Sequence, residues 1–230
     1  MDNYCYHLNL LNLVGNQLTP AGMAAFTSLF NKDMFGITDF SLGRNNFGDE
    51  GLISLLCIMK GTQCKINRLS LRETELTAKG MKALQKTLME KDLSFNELAL
   101  SSNPLGTEGL EYLVEGIIQG GVEPQRLWLY NTELDERACL SINKLISSHV
   151  FEKLVLLDIG SNNINNTAFS SIVTAILDNN RPLQLEELWI GGCAILDNGV
   201  SLITSLINQR LLPRLTTLCI DCRICVVDSL

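Results

Sequence analysis

Apolar positions recur along this chain as a short alternating run, a polar break and a longer run at helical spacing. In residues 95–110, FNELALSSNPLGTEGL, Leu98 and Leu100 stand two apart, Asn103 follows three later, and Leu105 comes two after that. Alternate residues of a strand share one face, so Leu98 and Leu100 are the inward side chains of a short strand. Asn103 then turns the chain, its amide able to donate to and accept from backbone groups of the bend. Beyond it, Gly106 or Thr107 starts a helix that places Leu110, Leu113 and Ile117 on one face.

The same unit runs the length of the chain. Residues equivalent to Asn103 are Asn16, Asn45, Thr74, Thr132, Asn162, Cys193 and a degraded Arg223; the steps from Asn16 to Thr132 are all 29, and the later ones are 30, 31 and 30. Five and three positions ahead of each stand apolar pairs, from Leu11 and Leu13 through Leu127 and Leu129 to Leu218 and Ile220. Thr19-Pro20 reads as a helix N-cap followed by proline at the first helical position. Gly48, Thr77, Gly106, Asp135 and Asn165 are the equivalent caps, and Leu196 takes that place in the seventh unit. Three residues past the cap lie Gly22, Gly51, Gly80, Gly109, Ala138, Ala168 and Gly199, small enough to let the helix backbone approach the neighbouring unit. Phe26, Leu55, Leu84, Leu113, Ile142, Ile172 and Ile203 form one core column. Met23, Leu52, Met81, Leu110, Cys139, Phe169 and Val200 form another.

The pattern LxxLxLxxNxL with a helix in every unit resembles the long, ribonuclease-inhibitor-like type of leucine-rich repeat, over nearly all of residues 8 to 225. The resemblance implies one domain over residues 1–230, with seven full repeats of about 29 residues and a degraded eighth. Strand, right-handed helical crossover and parallel strand repeat into an α/β solenoid. Helices are wider than strands are apart, so the arc curves into a horseshoe with the parallel sheet on its concave face and the helices on its convex face.

Charge and cysteine content narrow the function. A net charge of −7 disfavours a general nucleic-acid binder, and no apolar run is long enough for a membrane span. The start, MDNYCYHLNLLNLVGN, lacks a basic n-region, which points to a cytoplasmic protein, and the eight cysteines are then free thiols rather than a disulfide framework. Asn165-Asn166-Thr167 is a glycosylation sequon pointing the other way. His7 and His149 are the only histidines and stand at no catalytic spacing, so no enzyme is expected. Cys219, Cys222 and Cys225 have the spacing of a metal-ligand set but lack an obvious fourth ligand, so no metal and no cofactor is expected.

The candidate binding surface is the concave face. Alternation sends Asn12, Ser41, Ser70, Ala99, Trp128, Asp158, Trp189 and Cys219 outward in one column. Both tryptophans therefore share a column, two repeats apart, with Asp158 between them. Tyr130, Asn131 and Glu187 lie beside them, and Gly160, Gly191 and Gly192 are expected to leave open space around the indoles. Arg44, Arg68 and Arg72 stand in the second and third units, whereas Asp158, Glu186, Glu187 and Asp221 stand in the last three, a gradient that would orient a partner. The resemblance implies a non-enzymatic, protein-binding scaffold, as in ribonuclease inhibitor and the repeat regions of nucleotide-binding innate immune receptors. It also implies an alternative, a GTPase-activating or innate-immune regulatory domain as in Ran GTPase-activating protein, with Arg44 or Arg72 as the residue to test. The outer strands carry no polar capping unit, so the chain is expected to be a piece of a longer repeat array or a truncated gene product, or alternatively to cover its uncapped ends by self-association.

Overall fold

The computed structural model describes residues 8–28, 37–61, 63–193, 195 and 197–220. Strands and helices alternate: β1 (Leu10–Asn12), α1 (Pro20–Ser28), β2 (Asp39–Ser41), α2 (Gly48–Met59), β3 (Cys64–Ser70), α3 (Ala78–Met89), β4 (Leu93–Ala99), α4 (Gly106–Gly120), β5 (Arg126–Trp128), α5 (Ala138–Ser147), β6 (Leu156–Asp158), α6 (Asn166–Asn179), β7 (Glu187–Trp189), α7 (Asp197–Asn208) and β8 (Thr217–Cys219). The eight strands form one sheet in chain order, and every neighbouring pair is parallel. Their register follows the repeat: Leu11 opposes Phe40, Phe40 opposes Leu69, Leu69 opposes Leu98, and so on to Leu188 opposite Leu218. The result is an α/β leucine-rich solenoid.

Inward strand residues from Phe40 to Ile190 are buried, as are the helix residues Leu55, Leu84, Leu113, Ile142, Ile172 and Ile203. The second helix column holds through Met23, Leu52, Met81, Leu110 and Phe169. It fails at Cys139, which is half-buried, and at Val200, which is exposed.

The asparagines do more than turn their own coil. Asn103 Nδ2 donates to Leu100 O in its own coil and to Leu71 O in the preceding one, while Oδ1 accepts from the backbone N–H groups of Thr74 and Leu76. Asn45 makes the same set of bonds to Leu13, Asn16 and Leu18, and Asn162 to Leu129, Thr132 and Leu134. Each amide satisfies buried backbone groups of two coils at once. Where the rung is threonine, the hydroxyl of Thr74 donates to Leu71 O and that of Thr132 to Leu129 O, both within the same coil. At those junctions a glycine supplies the link: Gly48 N–H donates to Thr74 O and Gly106 N–H to Thr132 O. Both glycines have positive φ, 54° and 63°, so they serve the turn by backbone freedom rather than by a side-chain cap.

Three expected caps are present. Thr19 accepts from Gly22 N–H, Thr77 from Lys79 N–H and Asn165 from Ala168 N–H. Asp135 instead holds a turn, accepting from Arg137 N–H, and α5 begins only at Ala138. Leu196 lies outside the described residues. Neighbouring coils also cap one another, since Asp49 accepts from Thr77 N–H and Gly80 N–H at the start of α3. Gly80 faces that carboxylate so closely that an added Cβ would come within 2.4 Å of Asp49 Oδ1. Helices α3 and α4 meet almost backbone to backbone, because Gly116 lies against Gln85 and Gly120 against Leu88. The lengthened spacing after Thr132 has a structural cause: a short 3-10 helix, His149–Lys153, follows α5 and tucks Val150 and Phe151 into the core.

Candidate functional site

On the solvent face of the sheet, β5, β6 and β7 bring Trp128, Asp158 and Trp189 into direct register. Both indoles stand outside the core and are half-buried. Two strand spacings separate them, roughly 10 Å. Each ring is held by its N–H: Trp128 Nε1 donates to Glu97 Oε1 at 3.1 Å, and Trp189 Nε1 to Glu187 Oε2 at 3.2 Å. The other oxygen of Glu187 accepts from Arg126 at 3.2 Å, and Arg68 approaches Glu97 at 3.3 Å. The two indoles are thus braced by two carboxylate–guanidinium pairs.

Arg126 and Glu187 join hands across β6, whose register residue between them is Leu156. Leu156 is fully buried on what alternation makes the outward face. That residue escapes the sequence reading, although a leucine in a column that elsewhere holds Asp39, Arg68, Glu97, Arg126 and Glu187 is a usable signal.

Asp158 corrects a second expectation. It faces the solvent side of the sheet yet is only 5% exposed. Its Oδ1 accepts from Gly160 N–H at 2.9 Å. Burial pushes its carboxyl up to about 6, against the opposing pull of that hydrogen bond and of the Arg72 charge. Gly160 and Gly191 are buried as well, so they do not open space beside the indoles. An added Cβ on Gly160 would lie 2.9 Å from Gly191 O, 3.2 Å from Asp158 Oδ1 and 3.4 Å from the Tyr130 ring. Gly160 thus admits the half-buried Tyr130 ring and the carboxylate into a filled surface.

The expected charge gradient is muted by local pairing. Glu73 sits between Arg44, at 3.6 Å, and Arg72, at 3.1 Å, and Arg126 offsets Glu187. Asp221 lies outside the described residues, as do Cys222 and Cys225 of the cysteine run. Asn131 and Arg44 are exposed and Glu73 is half-buried, all three in equivalent left-handed turns with φ of 51°, 55° and 55°. These three therefore project from the bends at the strand ends, whereas Trp128, Asp158, Trp189 and Glu187 belong to the strands. Among the described residues no group of His, Cys, Asp and Glu side chains is arranged to hold a metal ion. Among them, too, no helix is long and apolar enough to cross a membrane.

The leucine rich repeat family matches residues 4–26, 37–56 and 92–114. The chain is 27% identical over 213 residues to ribonuclease inhibitor of Sus scrofa, covering 90% of this chain and 44% of that protein. It is 27% identical over 171 residues to ribonuclease inhibitor of Mus musculus, covering 74% and 36%. This is a ribonuclease-inhibitor-like leucine-rich repeat protein. The repeat protein is also similar to NACHT, LRR and PYD domains-containing protein 2 of Homo sapiens, 30% identical over 161 residues, covering 69% of this chain and 14% of that one. It spans less than half the length of each of these relatives. The asparagine rungs and the braced indoles are two layers of the same leucine-rich coil, one facing the core and the other the solvent.

Proposed function

We propose that the repeat protein is a non-enzymatic scaffold that captures a protein partner on its sheet face. Trp128 and Trp189 are the anchors; Tyr130, Asn131, Glu187, Arg44 and Arg72 make up the surrounding surface, and the buried Asp158 lies beneath it rather than in it. The observation that carries this reading is the pair of half-exposed indoles, two strands apart, each fixed by a hydrogen bond to a carboxylate. An aromatic ring ordered before binding loses little rotamer entropy on contact, and buried tryptophans dominate many interfaces. The names of the two relatives make a ribonuclease the first probe. Binding of a purified ribonuclease is measured by calorimetry with the wild-type chain and with Trp128→Ala and Trp189→Ala. At about 2 kcal/mol per anchor, each substitution weakens capture roughly thirtyfold while leaving the melting transition in place. If ribonuclease does not bind, the same comparison is run on the proteins captured from a cell extract. Undiminished capture by the folded double variant refutes the patch.

The likeness to a protein whose name carries two further domains supports a second reading, in which the repeats are the partner-binding part of a larger regulatory protein. A GTPase-activating role would use Arg44 or Arg72, but both lean on Glu73, and GTP hydrolysis by a partner with and without the chain is its test. A cytoplasmic setting suits the five described cysteines, all of them free.

A further inference from the structure

The links that carry the chain from each helix back to the sheet differ in length along the solenoid. Residues 90–92 suffice between α3 and β4, whereas 180–186 join α6 to β7, 209–216 join α7 to β8, and the 3-10 helix His149–Lys153 stands before β6. The longer links leave a cleft of about 620 Å³ on the rim of these three coils, and Lys153, Arg181, Gln184 and Arg214 are among the residues that line it. Three of the four form a column. The register that sets Leu156 against Glu187 and Glu187 against Thr217 puts Lys153, Gln184 and Arg214 on successive coils, each three residues ahead of its strand partner. Lys153 and Arg214 therefore stand two strand spacings apart, roughly 10 Å, with the glutamine between them.

The charges of this cleft do not cancel. Glu152 accepts from Arg181 Nη1 at 2.6 Å and, among the described residues, is the one carboxylate in the lining. Lys153 and Arg214 are exposed and have no ion-pair partner among the described residues, whereas Arg44, Arg68, Arg72, Arg126 and Arg137 each lean on a carboxylate. A chain of net charge −7 thus gathers three cations against one carboxylate in a single concavity, where their fields add and concentrate anions. A carboxylate brings one charge and satisfies one guanidinium fork. A phosphate brings nearly two charges and three acceptor oxygens, so it can be met from several sides at once. We propose that this rim cleft binds a small phosphate-bearing ligand, with Lys153 and Arg214 engaging the phosphate oxygens from opposite sides, the Gln184 amide donating between them, and Arg181, fixed by Glu152, forming the wall. The site is separate from the indoles and does not rest on the partner-binding role assigned to them.

Titration calorimetry of the 230-residue chain with inorganic pyrophosphate tests this, with acetate as the carboxylate control. Pyrophosphate binds at one site, and acetate at the same concentration does not. Lys153→Gln and Arg214→Gln each weaken binding about tenfold and together abolish it, and Arg214→Lys, which keeps the charge but loses the fork, falls between. Lys65→Gln removes an exposed lysine of β3 outside the cleft and leaves binding unchanged, as does the Trp128→Ala, Trp189→Ala double variant. Every variant is checked for an unchanged melting transition. A wild type that takes up no pyrophosphate overturns the proposal. So does acetate binding as tightly as pyrophosphate, or a loss with Lys65→Gln equal to that with Lys153→Gln, which would make the effect one of overall charge.

Discussion

Replacing Asp158 with asparagine should stabilise this protein at neutral pH. The carboxyl sits under a filled surface, and burial raises it from 3.8 in the open chain to about 6 in the fold. Its ionised form is therefore disfavoured in the fold by about 3 kcal/mol, at about 1.4 kcal/mol per unit. The sign follows from proton binding. The folded chain holds the proton more tightly, so as pH falls through the folded value the native state gains stability, and above about 6 that gain is gone. Between pH 7.5 and 5 the wild type should gain about 1.4 kcal/mol from this group alone. The Asp158→Asn side chain would keep the acceptor that Gly160 N–H uses and shed the charge, while its amide protons add a desolvation cost of about 1–2 kcal/mol. The net expectation is a gain of about 1–2 kcal/mol at pH 7.5, with the pH-dependent increment removed. Urea unfolding of both chains at the two pH values measures it. If wild type and Asp158→Asn show the same change in stability between those values, the buried-carboxylate argument is wrong.

Other consequences are measurable in the same way. Asn103→Ala removes an amide that serves four buried backbone groups in two coils, and should cost about 3–5 kcal/mol by urea unfolding, whereas Asn16→Ala should stay within about 0.5 kcal/mol. Gly120→Ala places a Cβ 2.5 Å from Leu88 O, so it should lower the melting temperature even though alanine is the better helix former, a loss of about 1–3 kcal/mol. Cys193 replaces the rung asparagine, and its thiol approaches Ile159 O at 3.5 Å while burial pushes it up to about 11; it should react with a thiol reagent far more slowly than exposed Cys57 in the native protein, and at a similar rate once unfolded.

The leucine cadence carries the strand order and register, because stacking leaves each apolar pair one place to go. Thr19, Thr77 and Asn165 are likewise legible as caps, since a cap bonds within its own turn. What escapes the sequence are the relations between coils. Asn103 reads locally as a turn residue, and nothing in its neighbours in sequence says that it reaches Leu71 and Thr74. Alternation puts Asp158 on the correct face of the sheet but cannot say that the surface over it is filled. Gly160 looks like empty space for the same reason: a missing side chain in sequence is an invitation to a neighbour in three dimensions, and Tyr130 takes it.

Over the first six coils the two kinds of clasp alternate, an asparagine amide joining one pair of coils and a glycine-to-threonine backbone bond joining the next, until Cys193 takes the rung place against Ile159 O. The modular quantum of this architecture is therefore a doublet. Excising one coil would bring two like clasps together and leave a mismatched splice, whereas excising an adjacent two restores the alternation and seals the cut.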